Sequence, residues 1–240
     1  MIEFRQVRIG YDKPLIEIDQ LELQEGRFYT LVGKNGVGKT TLLNTLLGLI
    51  PLHSGEIYLN GTNQMSNWKS HEMAKLVAHV PSRFEGVQHL TGRDYIAMGR
   101  APYTNFLGKL SPDDWSIVDQ VIMSLGIAHF ADMDTSRLSD GERQIASIAK
   151  ALVQQTQVIL LDEPTAFLDY ANRMKVLRLL KQIAGETNIC VLQSSHDLEL
   201  CLEFSDELLV IDPEAKKLIC MNNKGLLKQE VINIAFPEIS

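Results

Sequence analysis

Apolar positions along the chain follow two different periods, and the change between them divides the sequence into regions. Residues 2–9 and 15–23 alternate between apolar and polar side chains, which is typical of half-buried strands joined by a short turn. Residues 28–32 and 158–161 are continuous apolar runs, which favour strands in the centre of a parallel sheet. Further strands are predicted at residues 55–59, 76–80, 189–193 and 208–211.

Helical spacing dominates between residues 83 and 152. Thr91 can cap a helix that runs to about residue 100. Ser111, followed by a proline and two acids, begins a second helix that Gly126 ends. A third helix follows residues 138–141 and runs to about residue 154. This block predicts a helical lobe inserted into the rest of the chain.

Residues 33–40 read GKNGVGKT and fit G-x-x-x-x-G-K-[ST], the phosphate-binding loop, between a predicted strand and a predicted helix. The glycines let backbone N–H groups approach phosphate oxygens, and the following helix directs its positive end at the same anion. We expect Lys39 to reach the β- and γ-phosphates and the Thr40 hydroxyl to bind Mg²⁺. The alternative is a glycine-rich turn without a ligand. The predicted nucleotide contacts in this stretch are Gly33, Lys34, Asn35, Gly36, Val37, Gly38, Lys39, Thr40 and Thr41.

Strands that alternate with helices around such a loop predict an α/β fold. Helices are predicted at residues 40–49 and 170–184, and a short one over residues 67–75 with Ser66 as its cap. We predict a mostly parallel sheet of the P-loop NTPase type with flanking helices and an N-terminal antiparallel β subdomain. The chain is expected to be one domain, with an α/β core at residues 1–87 and 153–240 and the helical lobe at residues 88–152.

Polar residues follow two of the predicted strands. Asp162 and Glu163 end the strand at 158–161, where α/β sheets place their ligands. With a phosphate loop upstream, Asp162 is predicted to position Mg²⁺, and Glu163 to orient or deprotonate an attacking water. His196, after the strand at 189–193, is a candidate contact to a γ-phosphate. The alternatives are a solvated acidic turn and a structural histidine.

Residues 138–144 read LSDGERQ and begin the third helix of the lobe. The hydroxyl of Ser139 and the backbone N–H groups near Gly141 can bind an anion at the positive end of that helix. On the residues alone, an ordinary serine cap with a capping box is the better interpretation.

Composition narrows the function classes. A net charge of −7 argues against a broadly cationic nucleic-acid surface. The three cysteines show no paired spacing, which favours free thiols in a reducing compartment. No signal-peptide core and no apolar run of 18 residues is present, so we expect a cytoplasmic protein that reaches a membrane only through a partner.

The order of these motifs resembles the ATP-binding cassette (ABC) ATPases across nearly the whole chain. Residues 33–40 match the Walker A motif, 138–144 the signature motif and 158–163 the Walker B motif. Residues 166–169 match the D-loop, and His196 matches the switch histidine.

The resemblance implies a head-to-tail dimer that holds two ATP molecules with Mg²⁺. Tyr11, in the turn at residues 10–14, would stack on adenine. Ser139, Gly141 and Glu142 would contact the ATP bound by the other subunit, and Asp169 would contact that subunit. ATP would close the dimer and hydrolysis would open it.

Two positions depart from the family pattern. Ser82 stands where the family usually has the Q-loop glutamine, so it is expected to contact Mg²⁺ or the attacking water with a shorter side chain. Gln88 is an alternative from a shifted loop. Asp140 replaces the usual glycine of the signature, and we expect its carboxylate to point away from the phosphate.

Residues 95–103 and 161–169 resemble the importer ATPases for iron-siderophore, haem and cobalamin complexes. That resemblance implies a peripheral protein on the inner face of the cell membrane, powering permease subunits that dock near Ser82 to Phe84 and the helical lobe. A periplasmic or surface binding protein would take part indirectly, and no nucleic acid is expected. The alternatives are a non-transport ABC ATPase, such as an iron–sulfur cluster assembly factor, and an importer of another substrate.

Overall fold

A single mixed sheet of ten strands forms the centre of the molecule. The computed structural model describes residues 1–61, 63–64, 70–106 and 108–238. The strands are β1 (Ile2–Gly10), β2 (Pro14–Leu23), β3 (Phe28–Val32), β4 (Ser54–Leu59), β5 (Asn63–Gln64), β6 (Val77–Val80), β7 (Val158–Leu161), β8 (Cys190–Ser195), β9 (Glu207–Asp212) and β10 (Lys217–Asn222). Their order across the sheet is β5-β4-β1-β2-β10-β9-β3-β8-β7-β6.

The described helices lie on both faces of the sheet and in the segment between β6 and β7. They are α1 (Lys39–Leu46), α2 (Ser70–Met73), α3 (Gly92–Ala97), α4 (Pro112–Ser124), α5 (Ala128–Ala131), α6 (Asp140–Val153), α7 (Tyr170–Thr187), α8 (Leu198–Phe204) and α9 (Lys228–Ala235). In the part of the chain that the structure describes, 3₁₀ turns cover Met98–Tyr103 and Thr135–Arg137.

The sheet has a parallel half and a largely antiparallel half. Strands β9, β3, β8, β7 and β6 run parallel, whereas β4, β1 and β2 are antiparallel neighbours. In the parallel half, Val32 lies opposite Ser195, and Leu161 lies opposite Gln193. The segments that follow β3, β7 and β8 therefore leave the sheet at the same edge, which is where parallel sheets bind ligands.

Apolar clusters cover both faces of this sheet. Because successive side chains of a strand point to opposite faces, Phe28 belongs to a cluster with residues of α7 and α8, whereas Tyr29 belongs to a cluster with α1 and the antiparallel strands. Leu161 and Leu160 divide between these two clusters in the same way. This packing fixes the ends of β3 and β7 from both sides, and with them the loops that follow.

The mixed α/β fold with flanking helices is confirmed, but several element boundaries differ. Helix α1 ends at Leu46 rather than near residue 49, because Gly48 adopts a left-handed φ of 71° that ends the helix before Pro51. The helix that begins after Thr91 changes to a 3₁₀ turn at Met98, with Pro102 inside that turn. The predicted helix cap at Ser66 lies outside the described residues. Sequence reasoning missed β5, β10, α5, α8 and α9.

Candidate nucleotide site

The loop between β3 and α1 has a backbone that only glycines adopt easily. Gly36 has φ 78° and Gly38 has φ 116°, both in the left-handed region. A Cβ atom on Gly38 would also lie 3.0 Å from Cδ1 of Ile16 on β2. The loop at residues 33–40 therefore turns tightly against the β1–β2 hairpin, and α1 begins directly behind it.

The Lys39 side chain is buried inside this loop. Its ammonium donates to the carbonyl oxygens of Gly33, at 2.8 Å, and Lys34, at 3.3 Å. Burial lowers the pKa of Lys39, and the nearby carboxylates of Glu163 and Asp162 oppose that shift. An ammonium has three N–H donors, so one remains for an anion bound in the loop.

Thr40 and Asp162 bring two oxygen-bearing side chains together at the carboxyl edge of the sheet. The Thr40 hydroxyl donates to Oδ2 of Asp162 at 3.0 Å, and the Ser194 hydroxyl donates to Oδ1 at 2.7 Å. Mg²⁺ prefers oxygen ligands, and it commonly takes one or two protein groups together with substrate phosphates. The hydroxyl and carboxylate pair next to the phosphate-binding loop fits that requirement.

Glu163 and His196 form an adjacent polar pair. Nδ1 of His196 lies 3.4 Å from Oε2 of Glu163, and the histidine side chain is 56% exposed. The backbone of Glu163 has φ 46°, a left-handed value that costs a non-glycine residue on the order of 1 kcal/mol or more. Its N–H donates to the Ser194 hydroxyl at 2.9 Å, which holds the residue in this conformation.

Ser139 begins helix α6 with a complete capping box. Glu142 N–H donates to the Ser139 hydroxyl at 3.3 Å, while the Glu142 carboxylate accepts from the Ser139 backbone and hydroxyl, each at 2.8 Å. The backbone hydrogen bond from Ser139 is the largest cause that lowers the pKa of Glu142. Asp140 accepts a 2.6 Å hydrogen bond from Arg143 on the same helix.

The first turns of α6 and α7 touch at a glycine. A Cβ atom on Gly141 would lie 2.7 Å from Oδ1 of Asn172, so a larger residue does not fit without movement. Asp169 caps α7 by accepting from the Asn172 backbone at 2.8 Å and from its side-chain amide at 3.1 Å. Asn172 therefore lies between two of the predicted interface residues.

Tyr11 and the phosphate-binding loop lie near the same end of the β1–β2 hairpin. Tyr11 is 63% exposed in the hairpin turn. Leu15 and Ile16, which follow this turn, are the side chains closest to Gly38. An aromatic ring at this turn is thus free to cover a nucleotide bound by the loop.

Ser82 follows β6 and lies beside α6. It lines a small cavity with Asp140 and Phe167, and within the described chain no hydrogen bond connects it to Thr40 or Asp162. The segment is anchored to the helical region, because the ring of Phe84 stacks on Tyr95 of α3 with a centroid distance of 3.9 Å.

The structure thus brings five predicted residues together at one edge of the sheet: Lys39, Thr40, Asp162, Glu163 and His196. Residues 139–142 form a separate group at the start of α6. Sequence reasoning missed Ser194, which connects Asp162 to Glu163. The available signal was a pair of serines at the end of a buried strand, directly before a candidate histidine.

Comparison with known proteins shows the family of the chain. Residues 16–166 match the family described as ABC transporter, and the chain belongs to that family. It is 32% identical to an uncharacterized ABC transporter ATP-binding protein of Methanocaldococcus jannaschii, over 97% of this chain and 80% of the relative. It is 34% identical to the iron(3+)-hydroxamate import ATP-binding protein FhuC of Bacillus subtilis, over 86% of this chain and 77% of FhuC.

Solved structures show the same fold. An inward-facing transporter described as being of metal-chelate type matches with a TM-score of 0.84 and 26% identity, over 98% of this chain and 88% of that one. The ADP conformation of an ATP-binding cassette matches with a TM-score of 0.82 over the whole of this chain and 96% of the other, at 18% identity. Among the described helices, none has the length and apolar character that crossing a bilayer requires.

Proposed function

We propose that this protein hydrolyses ATP as the energy-supplying subunit of an ABC importer. The observation that carries the proposal is the hydrogen-bonded set at the sheet edge, in which Ser194 fixes Asp162 beside Thr40 and fixes the backbone of Glu163. ATP lies with its phosphates along residues 33–41 and its adenine against Tyr11. The third N–H of Lys39 donates to the β- and γ-phosphates.

The chemical step is attack of water on the γ-phosphorus, which yields ADP and phosphate. Thr40 and Asp162 hold Mg²⁺, with Ser82 as a further candidate contact; when bound, the ion neutralises phosphate charge. The Glu163 carboxylate orients the water and accepts its proton. His196, already 3.4 Å from Glu163, donates to the γ-phosphate from the side of that carboxylate.

A second copy of the chain completes each site. Ser139, Gly141 and Glu142 at the start of α6 contact the ATP held by the other copy, and Asp169 contacts the copy itself. The start of a 14-residue helix suits this role because its backbone N–H groups and dipole favour a phosphate. The division of the chain into a core at 1–87 and 153–240 and a lobe at 88–152 is part of the same proposal.

The transported compound is an iron chelate, haem or a cobalamin. The support is the naming of several relatives: besides FhuC, an achromobactin transport protein of Dickeya dadantii and a petrobactin import protein of Bacillus anthracis are 33% and 35% identical to this chain. Permease helices dock beside Ser82 and Phe84 at the cytoplasmic face of the membrane. The stacking of Phe84 on Tyr95 supports this site, because it connects that surface to the lobe.

The test of the enzymatic part is Glu163→Gln. Loss of the carboxylate should lower ATP turnover by about 10²-fold or more while ATP still binds, and ATP should then trap a dimer. Glu186→Gln, the same charge change at an exposed position near the end of α7, serves as the control. Turnover is followed by phosphate release and dimerisation by size-exclusion chromatography. Near-normal turnover of Glu163→Gln would remove Glu163 from the role of base.

Transport is tested by isolating the native complex. A polytopic membrane protein that co-purifies and stimulates hydrolysis supports import, and the bound compound identifies the substrate. A complex with ATPase activity but without such a protein would favour a non-transport ABC ATPase.

A further inference from the structure

The first turn of α6 carries more negative charge than an anion-binding site should. It contains Asp140 and Glu142, and it is the turn that the proposed function assigns to the γ-phosphate of the other subunit's ATP. Glu142 is occupied in the capping box with Ser139. Asp140 stands between Ser139 and Gly141, so its carboxylate is the one that most directly opposes a phosphate.

Arg143 contacts both sides of this turn. Its Nη2 donates to Oδ1 of Asp140 at 2.6 Å, and its Nη1 donates to the carbonyl oxygen of Leu138 at 2.7 Å. The Arg143 side chain is only 15% exposed, whereas the Asp140 side chain is 45% exposed. The guanidinium is therefore held in one orientation next to the turn, and the carboxylate is drawn toward it.

The other cation near Asp140 makes weaker contact. The hydrogen bond from Arg143 is the main cause that lowers the pKa of Asp140, and the positive charge of Arg83 adds a smaller shift in the same direction. Arg83 is 3.8 Å from Glu85 and lies over the ring of Phe167, so its guanidinium is engaged elsewhere.

We propose that Arg143 is a positioning residue for the ATP site formed between two copies of the chain. It holds the Asp140 carboxylate against its own helix and neutralises it, so that the carboxylate does not repel the γ-phosphate that Ser139 and Gly141 are proposed to contact. The inference rests on the proposed function. It explains how the first turn of α6 can contain the Asp140 carboxylate and still contact a phosphate. It also predicts that replacing Arg143 weakens ATP-dependent dimerisation much more when Asp140 is present than when it is absent.

A purely structural role makes a different prediction. If Arg143 served only to anchor the Leu138 carbonyl, its loss would weaken the turn equally whatever residue stands at position 140. The two roles are separated by a double-mutant cycle of Arg143→Gln, Asp140→Gly and the combined variant.

The cycle is measured on the full chain as the ATP concentration that gives half-maximal dimerisation, in the Glu163→Gln background where the dimer persists. Arg143→Gln should raise that concentration about tenfold, since it leaves an unpaired charge beside the phosphate. In the Asp140→Gly background the same change should raise it less than about threefold. Raising the salt concentration should shrink the difference, because salt screens exposed charges.

Control variants distinguish an effect on folding from an effect of the lost charge. Arg93→Gln breaks an ion pair of the same 2.6 Å length, with Asp119 in the helical region, and should leave the ATP concentration unchanged. Thermal unfolding is recorded for every variant. If Arg143→Gln does not fold, Arg143→Met takes its place, because methionine also removes the charge while a flexible apolar side chain still fills the space beside the turn.

Equal effects of Arg143→Gln in both backgrounds would overturn the inference and leave the proposed function intact. A failure of the proposed function would look different. The unsubstituted chain would then not hydrolyse ATP, and Glu163→Gln alone would not form an ATP-dependent dimer.

Discussion

Helices α1 and α6 both begin at a proposed phosphate contact, yet their first turns are built in opposite ways. Helix α1 follows Gly38, has no side-chain cap and carries no acid in its first turn. Helix α6 follows Ser139, has a full capping box and carries two acids in its first turn. The first backbone N–H groups of a helix have no partner within the helix. At α6 a side chain of the capping box accepts from one of them, whereas at α1 no side-chain cap does.

This difference indicates an order of events. The start of α1 can accept phosphate in a single chain, because nothing on the helix competes for the site. At α6 the hydroxyl of Ser139 already donates to the carboxylate of Glu142 at 2.8 Å, as part of the capping box. ATP from a second copy must compete with that interaction. We therefore expect binding at α1 to precede engagement of α6, so that closure of the dimer follows ATP binding.

The largest effect should come from Lys39→Ala, which removes the only buried cation of the α1 loop among the described residues. Turnover should fall by about 10²-fold or more, and ATP affinity should fall with it, because the ammonium is proposed to contact phosphate both before and during the reaction. Titration with a fluorescent nucleotide and phosphate release measure the two quantities.

Lys109→Ala, in the exposed loop before α4, is the control for Lys39→Ala. Intact ATP binding and turnover in Lys39→Ala would show that this loop is not the nucleotide site.

Ser139→Ala should distinguish the role of α6 from the role of α1. Loss of the cap should lower the free energy of unfolding by about 1 kcal/mol. Turnover should fall roughly tenfold, since a hydrogen bond to a charged phosphate is lost, while ATP binding to the isolated chain at α1 stays the same.

Ser111→Ala is the matched comparison, because Ser111 forms the other serine capping box of this region, with Asp114 on α4. It should cost similar stability without affecting turnover. If Ser139→Ala weakened ATP binding by the single chain, the proposed division between α1 and α6 would be wrong.

The smallest effect is expected from Glu142→Gln. Because the pKa of Glu142 is lowered on folding from its ordinary value of 4.5, its charge stabilises the folded chain above that value, and this contribution is lost as the pH falls through the lowered pKa. The unsubstituted protein should therefore be more stable than Glu142→Gln at neutral pH, by a few tenths of a kcal/mol. The gap should narrow as the pH is lowered toward 4 and below. Urea unfolding across this range measures it, and a gap independent of pH would contradict the assignment.

The α1 side of this comparison could be predicted from sequence because its signals are local. Four fixed positions within residues 33–40 define the loop, and a continuous apolar strand before Asp162 places that acid at the sheet edge. The mixed α/β fold followed from the alternation of the two hydrophobic periods.

The α6 side was harder, because its properties depend on which side chains meet. The capping box was the better interpretation of the residues alone, but the pairing of Asp140 with Arg143 depends on side-chain orientation within one turn. Ser194 meets Asp162 only because β7 and β8 are neighbours in the sheet, which a single sequence does not state. Helices α5, α8 and α9, of four, seven and eight residues, were also missed.

The close approach of Gly141 to Asn172 has a consequence for communication between subunits. Gly141 is proposed to meet the ATP of the other copy, and Asp169, which Asn172 contacts, is proposed to meet the other copy itself. The amide side chain of Asn172 therefore lies between the residue proposed to contact ATP and the residue proposed to contact the other subunit. In a symmetric dimer this arrangement occurs twice, so the occupancy of one ATP site should alter the ATP affinity of the other.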